Sequence, residues 1–211
     1  MDRLPPLYAI CDADVSERFG WTLVDVAAAC LDGGARVLQI RAKRASSRWL
    51  IDATEAVVGR AEGAGALIIV NDRADIARLA GAGGVHLGQD DLRPADARPI
   101  VGAASCIGLS THTPAQIAGA ALEPIDYLAV GPVFETATKA TGHDAVGLLR
   151  VSAASAAAAG RQLPLVAIGG ITLDRAADVL RAGAQAVAVI SDLLTTGDPR
   201  ARVRAYLDRL S

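Results

Sequence analysis

The chain has 211 residues, long enough to bury a large core in a single domain. Hydrophobic residues make up 52% of it and aromatic residues only 3%, so the core must be built from Ala, Val, Leu and Ile. A net charge of −2 and a pI near 5.9 give no overall basic field, which argues against a general nucleic-acid binder but leaves room for a local cationic pocket.

No apolar run approaches the roughly 20 residues needed to span a bilayer. Met1–Pro6 lacks the apolar segment of a signal peptide, so the expected location is cytoplasmic, with no membrane partner. Cys11, Cys30 and Cys106 form an odd, sparse set without zinc-ligand spacing and read as reduced core residues.

Leu7–Cys11 is an apolar run ending at Asp12, the first expected strand. Thr22 then caps a helix whose Leu23, Val26, Ala27, Cys30 and Leu31 share one face, and Gly33-Gly34 ends it. The second strand, Arg36–Ile40, leads to Lys43. A helix starting near Ser46-Ser47 turns Leu50, Ala53, Val57 and Ala61 inward. Leu67–Val70 is the third strand, followed by a short helix carrying Ile76, Leu79 and Ala80. Gly84–Leu87 is the fourth, and a brief helical stretch around Pro94–Ala97 leads to the fifth, Cys106–Ser110.

Thr113-Pro114-Ala115-Gln116 has the pattern of a capping box with proline in the first turn. Tyr127–Val130 is the sixth strand; a threonine-rich stretch runs on to Asp144, and an alanine-rich helix to Ala159. Leu165–Ile168 is the seventh strand, Thr172 caps the next helix, and Ala186–Ile190 is the eighth strand. Asp198-Pro199 opens a last helix with Val203, Tyr206, Leu207 and Leu210 on one face. Near-continuous apolar strands alternating eight times with helices predict a single-domain (β/α)8 TIM barrel over residues 1–211. A doubly wound open sheet is the alternative architecture.

In such a barrel the chemistry lies at the carboxyl ends of the strands. Alternation puts Gln39, Arg41 and Lys43 on one side of the second strand end, an amide and two cations suited to phosphate oxygens. Asn71-Asp72 and Asp91 end neighbouring units. Carboxylates beside anion-binding cations make sense with a metal between them, and Mg2+ prefers one or two carboxylates, waters and phosphate oxygens; the competing reading makes both residues helix caps. Gly169-Gly170 and Ile190-Ser191 follow strands seven and eight, where these barrels hold phosphate on backbone N–H groups. Two anion sites, one metal-assisted and one not, point to two anionic small-molecule substrates. His86 suits a polar core role as well as a catalytic one, and His112 lies at a helix start.

These motifs in order, Gln39-x-Arg41-x-Lys43, Val70-Asn71-Asp72, His86-Leu87-Gly88-Gln89-x-Asp91, Gly108-Leu109-Ser110-x-His112-Thr113, Gly131–Lys139 and Ile168–Thr172, resemble the thiamine-phosphate synthase family along essentially the whole chain. The resemblance implies a transferase of thiamine biosynthesis that joins a hydroxymethylpyrimidine diphosphate to a thiazole phosphate, carboxylated or not, with loss of diphosphate. It implies that Gln39, Ile40, Arg41, Ala42, Lys43, Asn71, Ser110 and Lys139 hold the pyrimidine diphosphate, with Arg41, Lys43, Ser110 and Lys139 catalytic. Asp72 and Asp91 would hold Mg2+. Thr136, Ala137, Thr138, Gly170, Ile190 and Ser191 would hold the thiazole phosphate. Glu135 departs from the small residue or proline common in relatives and is expected in solvent. The stretch from Pro132 to Asp144 is expected to close over both substrates. A thiazole tautomerase-like isomerase, or a non-catalytic binder of thiamine precursors, is the alternative function. Oligomeric state is not legible in the sequence.

Overall fold

The computed structural model describes residues 4–120, 122–136 and 144–211. Parallel strands β1 (Leu7–Asp12), β2 (Val37–Arg41), β3 (Leu67–Asn71), β4 (Gly84–Leu87), β5 (Cys106–Thr111), β6 (Tyr127–Val130), β7 (Leu165–Ile168) and β8 (Ala186–Val189) each pair with the next, and β8 closes onto β1. The barrel is therefore the (β/α)8 TIM barrel expected from the strand pattern, and the open-sheet alternative is ruled out by the β8–β1 ladder.

The strands are apolar on both faces because each face meets a different core. One set of alternate residues fills the barrel interior, including Tyr8, Ile10, Val37, Ile69, Tyr127, Val166 and Ala188. The other set, such as Leu7, Ala9, Leu38, Ile40, Val85 and Leu128, packs under the helix layer. Small residues make room where the interior is crowded. Gly108 of β5 lies beside Tyr127 of β6, and a Cβ at Gly108 would fall inside the Tyr127 ring.

The helices are α1 (Ala13–Arg18), α2 (Leu23–Gly33), α3 (Ser47–Glu62), α4 (Ala74–Leu79), α5 (Pro94–Val101), α6 (Pro114–Ala120), α7 (Gly147–Ala159), α8 (Leu173–Arg181) and α9 (Pro199–Leu210). Thr22, Ser46 and Asp198 accept backbone N–H bonds at the starts of α2, α3 and α9. The capping box forms: Gln116 N–H donates to Thr113 Oγ1 at 3.2 Å, and Gln116 Oε1 accepts from the Thr113 and His112 N–H groups.

The structure corrects several expectations. Asp12 both ends β1 and caps an additional helix, α1, by accepting the Val15 N–H at 3.0 Å. Leu79 is 67% exposed, because the buried face of α4 is centred on Ile76, Ala77 and Ala80 and leaves Leu79 to the side. Helix α5 continues through Pro99 to Val101, and β8 stops at Val189. Thr172 precedes α8 without a side-chain capping bond. The three cysteines are free and buried, as read from their spacing. Burial pushes the Cys106 thiol up to about 12. No helix among the described residues is long and apolar enough to cross a membrane.

Candidate functional site

A cavity of about 340 Å³ opens at the carboxyl ends of the strands. Gln39 and Arg41 of β2, Asn71 of β3 and Ser110 of β5 line one side. Gly169, Gly170, Ile190 and Ser191, which follow β7 and β8, line the other, with Thr136 between them in sequence.

Arg41 is held by a partner that strand register supplies. Asp12 lies opposite Arg41 in the β1–β2 ladder, and its Oδ2 accepts from Arg41 Nη1 while its Oδ1 caps α1. Asp12 is 4% exposed and Arg41 only 15%, so the pair is shielded from water and far from the weak regime of surface ion pairs. One edge of the guanidinium is thus fixed while Arg41 still lines the cavity.

Lys43, Asp72 and Asp91 gather beside this cavity rather than in its wall. Lys43 Nζ lies 3.1 Å from Asp72 Oδ2. Burial first, and then the neighbouring Asp91 carboxylate, push the Asp72 carboxyl above its ordinary value, with Lys43 offsetting part of the rise. Neither aspartate caps a helix: Arg73 and Arg93 occupy the cap positions of α4 and α5. Asp72 instead adopts a left-handed backbone, φ 65°, pinned by its N–H donating to the His86 carbonyl at 2.8 Å. Such a conformation costs a non-glycine residue about 1–3 kcal/mol and persists only where the surroundings hold it. Asp91 Oδ2 accepts the Gly88 N–H at 2.7 Å.

The opposite corner is built from glycines and a helix start. Gly170 has φ 62°, and a Cβ there would meet the Glu135 carbonyl oxygen at 2.5 Å. Only glycine fits, and the backbone is thereby brought to the cavity wall. The first turn of α8 follows at once, with its helix-terminal N–H groups and their partial positive charge. Arg175 of that turn lines the cavity and packs 4.8 Å over the Phe134 ring. Beneath it Asp192 is 9% exposed and accepts from Arg202, at 3.0 and 2.8 Å from Nη2, and from the Tyr206 hydroxyl, tying α9 to the end of β8.

The fold's sequence relatives agree on one family. The thiamine monophosphate synthase family model matches residues 7–193. The thiamine-phosphate synthase of Koribacter versatilis (strain Ellin345) is 44% identical over 213 aligned positions, covering 99% of this chain and 97% of its own. The chain belongs to the thiamine-phosphate synthase family. The thiamine-phosphate synthase of Methanoculleus marisnigri (strain ATCC 35101 / DSM 1498 / JR1) is 43% identical over 205 positions, covering 97% of this chain and 95% of its own. Among solved structures, thiamine phosphate pyrophosphorylase from Pyrococcus furiosus superposes with a TM-score of 0.87 at 30% identity, covering 98% of this chain and 95% of that one.

Within this thiamine-phosphate synthase barrel the residues expected at the site fall into three groups. Gln39, Arg41, Asn71, Ser110, Thr136, Gly170, Ile190 and Ser191 share the cavity. Lys43, Asp72 and Asp91 form a cluster beside it. Ile40 and Ala42 face the helix layer, where alternation along β2 sends them, and neither lines the cavity. Ala137, Thr138 and Lys139 lie outside the described residues, as does most of the stretch expected to close over substrates. Glu135 is exposed but also lines the cavity, so it does not stand wholly apart in solvent as expected.

Sequence reasoning missed Asp12, Arg175, Tyr8 and Tyr127. Their signal was register and alternation: Asp12 is paired with Arg41 only once β1 and β2 are aligned, and Tyr8 and Tyr127 face inward with the site residues.

Proposed function

We propose that this cavity joins 4-amino-2-methyl-5-(diphosphooxymethyl)pyrimidine to a thiazole phosphate, yielding thiamine phosphate and diphosphate. The observation that carries the reading is the convergence, on one cavity, of a cation-and-amide wall from β2, β3 and β5 with a glycine-lined helix N-terminus after β7. One wall suits a leaving diphosphate and the other suits a phosphate that remains attached.

In this reading Arg41, braced by Asp12, and Lys43 meet the diphosphate as its bond to the methylene carbon breaks. The family resemblance assigns Lys139 to the same group. Fixed cations are worth most where charge grows in a site shielded from water. Gln39, Asn71 and Ser110 orient the pyrimidine side. The electron-rich aminopyrimidine carries the transient positive charge until the thiazole nitrogen attacks the methylene carbon, so the protein has little proton transfer to do. Gly170, Ile190 and Ser191, with Thr136, Ala137 and Thr138, hold the thiazole phosphate; a carboxylated thiazole would lose CO2 as well.

The donor set beside the cavity suits Mg2+. Two interacting carboxylates, offset in part by Lys43, gain from a hard divalent ion, and oxygen ligands are what Mg2+ takes. Among the described residues no group of three or more His, Cys, Asp or Glu side chains is arranged to hold a metal ion, so Mg2+ here would rest on Asp72, Asp91, water and phosphate oxygen. Bound there, Mg2+ would neutralise charge on the departing diphosphate.

The test is product identity. Incubation with both substrates and Mg2+ should give thiamine phosphate by mass spectrometry. Isomerised thiazole with the pyrimidine diphosphate untouched would favour a tautomerase, and binding without turnover would favour a sensor.

Lys139→Ala gives a further test, because Lys139 is assigned to the leaving group. The variant should lose roughly 10²-fold in kcat while the KM for thiazole phosphate stays within about twofold. Steady-state kinetics with each substrate varied would check this; a pure KM effect for the thiazole would move Lys139 to the other subsite.

A further inference from the structure

Four hydrogen bonds cross the barrel interior below the cavity and join five strands. Gln39 Nε2 of β2 donates to the Tyr8 hydroxyl of β1 at 2.9 Å. The Tyr8 and Tyr127 hydroxyls lie 2.9 Å apart. Tyr127 of β6 is 2.8 Å from His86 Nδ1, and His86 Nε2 of β4 is 2.8 Å from Ser110 Oγ of β5. Tyr8 is 1% and Tyr127 0% exposed; Gln39, Tyr8, His86 and Ser110 line the base of the cavity, and Tyr127 lies behind them. The rings are packed as well as bonded: His86 stacks on Tyr127 at 5.6 Å, and Tyr8 meets Tyr127 edge-on at 5.9 Å.

We infer that this buried relay holds His86 as its Nε2–H tautomer and so presents Ser110 to the substrate as a hydrogen-bond donor. The argument is a count of protons. An amide nitrogen can only donate, so Tyr8 oxygen accepts from Gln39. The Tyr8 proton then has one partner in the relay, Tyr127, because a buried hydroxyl left without an acceptor is strongly disfavoured. Tyr127, having accepted, passes its own proton toward His86 Nδ1. A ring nitrogen that accepts fixes the tautomer, so Nε2 carries the hydrogen and donates to Ser110 Oγ. The Ser110 proton is then directed into the cavity. Burial pushes the Tyr8 and Tyr127 phenols well above their usual range, so both keep the proton that the count assigns them.

His86, Tyr8 and Tyr127 are thus positioning residues, acting through Ser110. What Ser110 donates to rests on the reading under Proposed function: an acceptor on the pyrimidine diphosphate. The tautomer itself is independent of that reading.

The chain holds three histidines, His86, His112 and His143, so 15N-histidine labelling gives a spectrum that single-histidine variants assign. In the substrate-free protein at neutral pH, His86 should show Nε2 protonated and Nδ1 bare. Tyr127→Phe should introduce the Nδ1–H form and lower kcat about tenfold, less than the roughly 10²-fold expected for losing a direct donor, with the thiazole phosphate KM unchanged. Should Tyr127→Phe fail to fold, the wild-type tautomer still decides, and Tyr8→Phe, which leaves the buried Tyr127 proton no acceptor in the relay but His86 Nδ1, should keep the Nε2–H form. Ser110→Ala should leave the tautomer as it is, because direction is set from the Gln39 end. A wild-type His86 protonated at Nδ1 or at both nitrogens, an unchanged tautomer in Tyr127→Phe, or a flip in Tyr8→Phe or Ser110→Ala would each overturn the inference. An Nε2–H tautomer in a protein that makes no thiamine phosphate would uphold the relay and remove the proposed reaction.

Discussion

Arg41→Lys is expected to lower kcat roughly 10²-fold while the barrel remains folded. Lysine keeps the charge, so a site needing only a cation would tolerate it. Arginine differs in having a planar fork, and here one edge of that fork is already committed to Asp12, itself fixed by its cap on α1. The remaining donors therefore meet the cavity in a set orientation, which a flexible ammonium paired to Asp12 does not reproduce. Lysine is also a better test than alanine. Removing the cation altogether would leave a carboxylate that is 4% exposed without its partner, at a cost of about 3–5 kcal/mol, and would mix folding with function. Thermal melting and steady-state kinetics together check the prediction; near-wild-type turnover would mean that simple charge suffices and that the Asp12 brace has no role in catalysis.

Asp91→Asn is expected to raise the Mg2+ concentration needed for half-activation at least tenfold and to lower maximal turnover by about 10²-fold. Asparagine keeps the oxygen that accepts the Gly88 N–H, so the turn after β4 is retained. It removes one of two interacting carboxylates, the contact that helps push Asp72 up. The metal-free protein should accordingly melt no lower than wild type. Added Mg2+ with inorganic diphosphate, which stabilises a folded state that binds them, should raise the melting temperature of wild type but little that of the variant. An unchanged Mg2+ titration with full activity would remove Asp91 from the metal site.

The fold was legible because each strand is a nearly unbroken apolar run with a polar or glycine residue at its end, as in Leu67–Asn71 and Leu165–Gly169. Such runs need two cores, and a barrel provides them. Helix α1 was not legible, since Val15 is the one apolar side chain that it buries and its start is marked only by Asp12. Gln39, Arg41, Asn71, Ser110 and Gly170 were legible as strand-end residues and all line the cavity, because strand ends can be found one at a time. Partners that lie on different strands cannot be found that way. Asp12 and Arg41 are 29 residues apart, and Tyr8 and Tyr127 are 119 apart, so their pairing depends on strand register and on which alternate residues face inward. The helix-cap reading of Asp72 failed for a local reason: its left-handed backbone sends the chain into α4 one residue later, and Arg73 takes the cap position.

The most direct test of the account is diphosphate release measured with both substrates and Mg2+, and with each of the three left out in turn. The account predicts release equal to the thiamine phosphate formed in the complete mixture, and release close to background when either substrate or Mg2+ is missing. Equal release without the thiazole phosphate, or none in the complete mixture, would contradict it.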